Sequence, residues 1–143
     1  MTKTAQHSAE SAARALFATD HASQGLGMSI LAVAPGVATV TMTIRPDMTN
    51  GHGICHGGFI FALADSAFAF ACNSHNQRHV AQNCQITYLA PGRLGARLTA
   101  TAAERHRADR SGITDVTVTD QGGTIIAEFR GHSRSIPGVL VPE

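Results

Sequence analysis

From Phe59 to Cys72 the chain is almost continuously apolar, with one charge, Asp65, inside the run. It shows neither a one-sided helical stripe nor a strand alternation. Such a segment reads as a helix buried on all sides. Gly57-Gly58 opens it, and the pattern carries it to about Ser74. On both sides of the helix the period changes to two. Ala38, Val40, Met42 and Ile44 alternate with Thr39, Thr41 and Thr43, which predicts a strand with one buried face. Alternation returns around Cys84–Tyr88, Leu98–Ala102, Val116–Thr119 and Ile125–Arg130. Met28–Val33 is a further short apolar run, and Pro35-Gly36, Asp109–Gly112 and Asp120–Gly123 carry turn signals. Near the start, Ala12, Ala13, Leu16 and Phe17 recur at helical spacing behind Ser8, a candidate N-cap. This predicts a helix over about 8–21, stopped by Gly25 and Gly27.

The sum is one long apolar helix with five or six antiparallel strands. A helix apolar all round needs a sheet that curls about it. The expected class is therefore α+β with a hotdog fold, one domain over 1–143, and a short tail from about 137 to 143. An open sheet of this size leaves edges, which favour pairing with a second copy.

Composition narrows the function. The 143 residues carry a formal net charge of +1, with 15% charged and 43% hydrophobic residues, and no basic or acidic block. That argues against a general nucleic-acid or membrane surface. The apolar run is too short to span a bilayer, and the first residues lack a signal-peptide pattern. Three cysteines, Cys55, Cys72 and Cys84, form no pair spacing. Reduced thiols in a cytoplasm are the expectation.

Asp65 is the chemical anomaly, because a carboxyl in an apolar helix costs free energy unless something compensates. Upstream lies Asn50-Gly-His-Gly-Ile-Cys-His56-Gly57-Gly58. The spaced set of Asn50, Gly53, His56-Gly57-Gly58 and Leu63-Ala64-Asp65 resembles the signature of hotdog-fold acyl-CoA thioesterases of the phenylacetate-degradation, or PaaI, type. The resemblance continues through Ile86–Gly92 and Phe129–Ile136 and covers roughly residues 10–136. It implies hydrolysis of acyl-CoA, phenylacetyl-CoA and its ring-hydroxylated derivatives above all. It also implies active sites shared between subunits, commonly in a tetramer built from two dimers. It implies a catalytic use of Asn50, and a coenzyme groove bordered by Tyr88–Arg93 (with Pro91 and Gly92), the His106–Ser111 hairpin and the last strand. A Ser or Thr often assists water at the start of the strand after the helix. Here only Gln82 or Asn83 is available.

Physics gives the motif residues jobs. Amides at a helix start lack intrahelical partners and carry partial positive charge, so a Gly57 N–H can stabilise the oxyanion of a thioester. Asp65 lies eight residues on, roughly 12 Å along the same helix. It cannot reach that oxyanion site, whereas antiparallel helices of two subunits would bring the two together. Asp65 would then act as nucleophile or as base toward water. Asn50 either orients that water or shapes a turn, and His56 either binds substrate or fixes its loop. Arg107, Arg110, Ser111, Arg130, His132, Ser133 and Arg134 are candidates for coenzyme A phosphates, or simply solvated. Phe59, Phe61, Phe68 and Phe70 can border an aryl group or form core. A Cys55-His56 nucleophile and a His52/His56 metal site have little support, and no metal or redox cofactor is expected. The rival functions are a hotdog acyl-thioester dehydratase or hydratase and a non-catalytic acyl-CoA-binding protein.

Overall fold

The computed structural model describes residues 3–143. Helix α1 (Ala5–Ala18) and the short α2 (His21–Gly25) lead into strands β1 (Ser29–Ala34) and β2 (Val37–Thr43). The long helix α3 (Gly57–Cys72) follows, then β3 (His79–Tyr88), β4 (Arg97–Ala108), β5 (Ser111–Thr119) and β6 (Ile125–Ser135). The six strands form one antiparallel sheet in the order β1-β2-β4-β5-β6-β3. The strand count is thus six, and the expected hotdog architecture is the observed one.

The sheet curls because its inner face must cover α3. The helix packs on β2, β4 and β5 and also touches β1, β3 and β6. Val40, Met42, Leu98, Ala100, Ala102, Val116 and Val118 meet Leu63, Ala67, Phe68 and Phe70 in one core. Burying each phenylalanine stabilises by about 1.5–3 kcal/mol. Phe68 and Phe70 are fully buried and belong to this core, not to a ligand site. Phe61 and Phe59 are only partly buried, and Phe61 meets Phe129 edge-on at 5.4 Å. At Gly131 a side chain has no room: a β-carbon there would lie 2.8 Å from the Phe68 ring.

The N-terminal helix needs correction. It runs over Ala5–Ala18 rather than 8–21, because Thr4, not Ser8, is the cap: its hydroxyl accepts from the His7 N–H at 3.1 Å. A second cap, Asp20, starts the short helix α2 over His21–Gly25, where no separate helix was expected. The tail from 137 onward has no regular element but is tied down. Asn76 accepts the Leu140 and Val141 N–H groups and donates to Val141 O.

The two sheet edges differ. β1 is partly covered by α1. β3 is exposed along most of its length, with Val80 and Tyr88 open to solvent. The β3–β6 pairing skips Gln82 in a bulge.

Candidate active site

The start of α3 is held open by its own sequence. His56 is the N-cap, and its ring Nδ1 accepts the Gly58 N–H at 2.9 Å. Phe59 N–H donates to His56 O at 3.0 Å. The Gly57 N–H is left without a partner among the described residues. Of the two glycines, Gly57 is therefore the one whose amide is free. Its carbonyl accepts the Tyr88 hydroxyl at 2.8 Å, and a β-carbon on Gly57 would fall 2.8 Å from the Tyr88 ring. Glycine is needed there because the phenol lies against the backbone.

Gly57 opens on a cavity of about 640 Å³ lined by Asn50, Ile54, Cys55, Ile60 and the Tyr88–Gly92 segment. The site is thus mostly apolar with few polar groups, as small-molecule sites are. Asn50 shapes the loop beside it. Its Oδ1 accepts the His52 N–H at 3.0 Å, which leaves Nδ2 as the donor to spare. Gly92 is buried, and its carbonyl accepts the Cys55 N–H at 2.9 Å, which knits the Pro91-Gly92 loop to the motif. Burial pushes the Cys55 thiol up, and the His56 ring is turned to Gly58. A thiolate–imidazole pair does not form.

Asp65 sits two turns further along α3, half-buried. Burial raises its carboxyl above the usual carboxylate range, and the Asp20 charge adds to this. The neighbouring Ser66 hydroxyl bonds Ser23 at 2.8 Å instead of assisting Asp65. Cys84 of β3 feels the Asp65 charge, which adds to burial in raising its thiol.

Five predicted site residues, Asn50, Gly57, Tyr88, Pro91 and Gly92, come together at this cavity, and His56 caps the helix beside it. None of Arg107, Arg110, Ser111, Arg130, His132 and Ser133 lines it. Ser133 is buried and bonds His79 Nδ1 at 3.1 Å, so it offers nothing to a ligand. Arg107 is held in the same network by Cys72 O and Glu104, both at 3.2 Å. Arg130 bonds Asp115 on the outer sheet face, and with Arg105 holds that carboxyl below its usual range. His132 is half-buried on β6, opposite Ile113. Arg110 and Arg134 line a depression with Gln77, Ser135, Ile136 and Pro137. Sequence reading missed the Asp20–Ser23–Ser66 contact. The signal was there in Asp20, an N-cap three residues before Ser23.

These features match a known family. The model described as "Thioesterase superfamily" fits residues 52–127, from the glycine-rich loop into β6. The chain belongs to the thioesterase superfamily. This thioesterase is 43% identical to acyl-coenzyme A thioesterase PaaI of Escherichia coli (strain K12), over 96% of its own length and 98% of that protein's. The structure of the E. coli PaaI protein from the phenylacetic acid degradation operon superimposes with a TM-score of 0.94 at 43% identity, covering 95% of this chain and 99% of that one. A mutant of the phenylacetic acid degradation protein PaaI from Thermus thermophilus gives 0.79 at 38% identity, covering 82% of this thioesterase and 100% of that chain. A Streptococcus mutans protein bound to acetyl CoA gives 0.76 at 26% identity, covering 78% and 90%. The expected kinship with PaaI-type acyl-CoA thioesterases holds over nearly the whole chain. No helix among the described residues is long and apolar enough to cross a membrane.

Proposed function

We propose that this thioesterase hydrolyses aryl-acetyl-CoA esters, phenylacetyl-CoA and its ring-hydroxylated derivatives first among them, to the free acid and coenzyme A. The observation that carries the reading is the free Gly57 amide at the mouth of a mostly apolar cavity. A thioester carbonyl set against that N–H gains an oxyanion partner as its carbon becomes tetrahedral. The acyl group enters the apolar space beside Ile60 and Leu89. Asp65 supplies the carboxylate, as nucleophile or as base toward water. Either way one water is consumed, the C–S bond breaks, and the leaving thiolate takes up the proton. No metal or redox cofactor has a part in this.

Asp65 lies eight residues beyond Gly57, about 12 Å along one helix. A second subunit, its α3 antiparallel to the first, brings the two groups to one thioester. The exposed edge of β3, next to the Gly57 cavity through Tyr88, is where that subunit pairs. Two such dimers make a tetramer, and Arg110 with Arg134 is the basic pair left to meet the coenzyme phosphates. The dehydratase alternative uses a histidine with a carboxylate to move a proton beside the carbonyl, whereas the free Gly57 amide and Asn50 at the cavity suit hydrolysis better.

Thiol release from phenylacetyl, hydroxyphenylacetyl, benzoyl and medium-chain CoA esters tests the reading. Aryl-acetyl esters should be cleaved best, and Asp65→Asn should lower turnover by roughly 10²–10⁴-fold. Wild-type turnover in Asp65→Asn would remove Asp65 from the mechanism. Water release from a 3-hydroxyacyl-CoA without free thiol would favour the dehydratase.

A further inference from the structure

Helix α2 is only five residues long, yet it makes a specific polar contact with the turn of α3 that bears Asp65. Asp20 caps α2, accepting the Ser23 N–H at 3.0 Å on Oδ1 and the Ser23 hydroxyl at 2.6 Å on Oδ2. A carboxylate only accepts, so the Ser23 hydroxyl hydrogen points to Asp20. The Ser23 oxygen must then accept from Ser66, 2.8 Å away. The chain of donors runs Ser66 to Ser23 to Asp20. Ser23 is buried, and Ser66 is the residue next to Asp65. One carboxylate therefore anchors, through two hydroxyls, the helical turn that carries another.

We propose that Asp20 is a positioning residue for the thioester reaction: it fixes the Asp65 turn through Ser23 and Ser66 and sets a second negative charge near that carboxylate. This rests on Asp65 being the reacting carboxylate. The charge acts against ionisation of Asp65, in the same direction as its burial. The other titratable groups near Asp65 are the thiols of Cys84 on β3 and Cys72 on α3 itself, both raised in part by the Asp65 charge. Both thiols are raised and neutral in the working range, so among the described residues Asp20 is the charge that bears on Asp65. Asp20 thus adds to burial in keeping the Asp65 carboxyl basic, and narrows the range of pH over which it works.

The test is the pH profile of kcat/KM for wild type, Asp20→Asn, Asp20→Ser and Ser66→Ala, beside Asp65→Asn. Asparagine and serine both retain the helix cap while removing the charge. In both Asp20 variants the acid limb should move to lower pH, because loss of a negative neighbour eases ionisation. Asp20→Glu should restore the wild-type limb. Ser66→Ala should leave the limb in place and lower kcat about fivefold with KM unchanged, the scale of one hydrogen bond. Acid limbs of Asp20→Asn and Asp20→Ser that superimpose on wild type, with Asp65→Asn inactive, overturn this inference and spare the Asp65 reading. Full turnover in Asp65→Asn overturns the Asp65 reading itself.

Discussion

The two ends of α3 are built on opposite rules. At the start, the Gly57 amide has no partner among the described residues, and Gly57 lines a cavity. At the end, nearly every backbone group is taken. Asn73 donates to Ala69 O and His79 O and accepts from His79 N–H, at 2.8, 3.1 and 2.9 Å. Ser74 donates to Ala71 O and accepts from Gly36 N–H, both at 2.7 Å. Arg107 reaches Cys72 O, with its charge at the negative end of the helix dipole. The closed end holds the helix in its sheet. The open end leaves binding capacity that folding did not consume. A free amide there is what a thioester needs, and the same amide at the closed end would be a defect.

Of changes at the two ends of α3, the largest effect should come from closing the open end. Gly57→Val puts a branched side chain where the Tyr88 ring lies. Turnover should fall by roughly 10²–10³-fold, the scale of one lost oxyanion donor. Stability should change little, because Tyr88 is an exposed side chain that can swing away. A melting temperature that drops as far as the activity would mean that Gly57 serves the fold. In verified heterodimers with Asp65→Asn chains, some activity should return, since one of the two shared sites is then intact.

Opening the closed end should have the converse result. Arg107→Ala strips a partner from Cys72 O, Glu104 and His79 together. The expected loss is about 2 kcal/mol of unfolding free energy by denaturant titration, with kcat changed far less. Equal losses in stability and turnover would break the distinction between the two ends.

The closed end also predicts a pH dependence. Arg107 donates to His79 Nε2, so the ring hydrogen is on Nδ1 and is given to Ser133. Burial, with the Arg107 charge adding to it, lowers the affinity of this ring for a proton, against a smaller opposing effect of Glu104. The unfolded chain then binds the proton more readily than the folded one. Stability should hold above the ordinary histidine range and fall as pH drops through it. In His79→Gln this part of the pH dependence should disappear when melting is followed between neutral and mildly acid pH.

The fold was legible because its signals were local and strong. An apolar helix of sixteen residues, Gly57–Cys72, and alternating strands such as Val37–Thr43 need no partner to be recognised. Gly57 and Asp65 stood out for the same reason, one at a helix start and one as the single charge in the helix. The arginines did not read as well. Arg107 and Arg130 look equally solvent-facing in sequence, yet one secures a helix end and the other bonds Asp115 on the outer face. Which partner a long side chain finds is decided by strand register, Ala108 opposite Ser111 and Arg130 opposite Asp115, and register is not written in any one strand. Ser133 was misjudged on the same ground: its strand position was clear, its inward face was not.

The smallest effect tests the closed end at its weakest point. Thr114 lies on β5 opposite Glu104 of β4 and Gly131 of β6, fully buried, and its hydroxyl has no partner. It is the only such buried side-chain atom among the described residues. A hydroxyl stripped of water without a hydrogen bond is a penalty, and valine has nearly the same shape. Thr114→Val should therefore raise unfolding free energy by about 1 kcal/mol and leave kcat/KM unchanged. The sign matters more than the size. A gain means that the unpaired group at this end is a flaw without a use, in contrast with Gly57, where closing the unpaired group is expected to cripple turnover. A loss of activity in Thr114→Val would show that the closed end also holds polar capacity in reserve for the reaction, and the division between the two ends of α3 would fail.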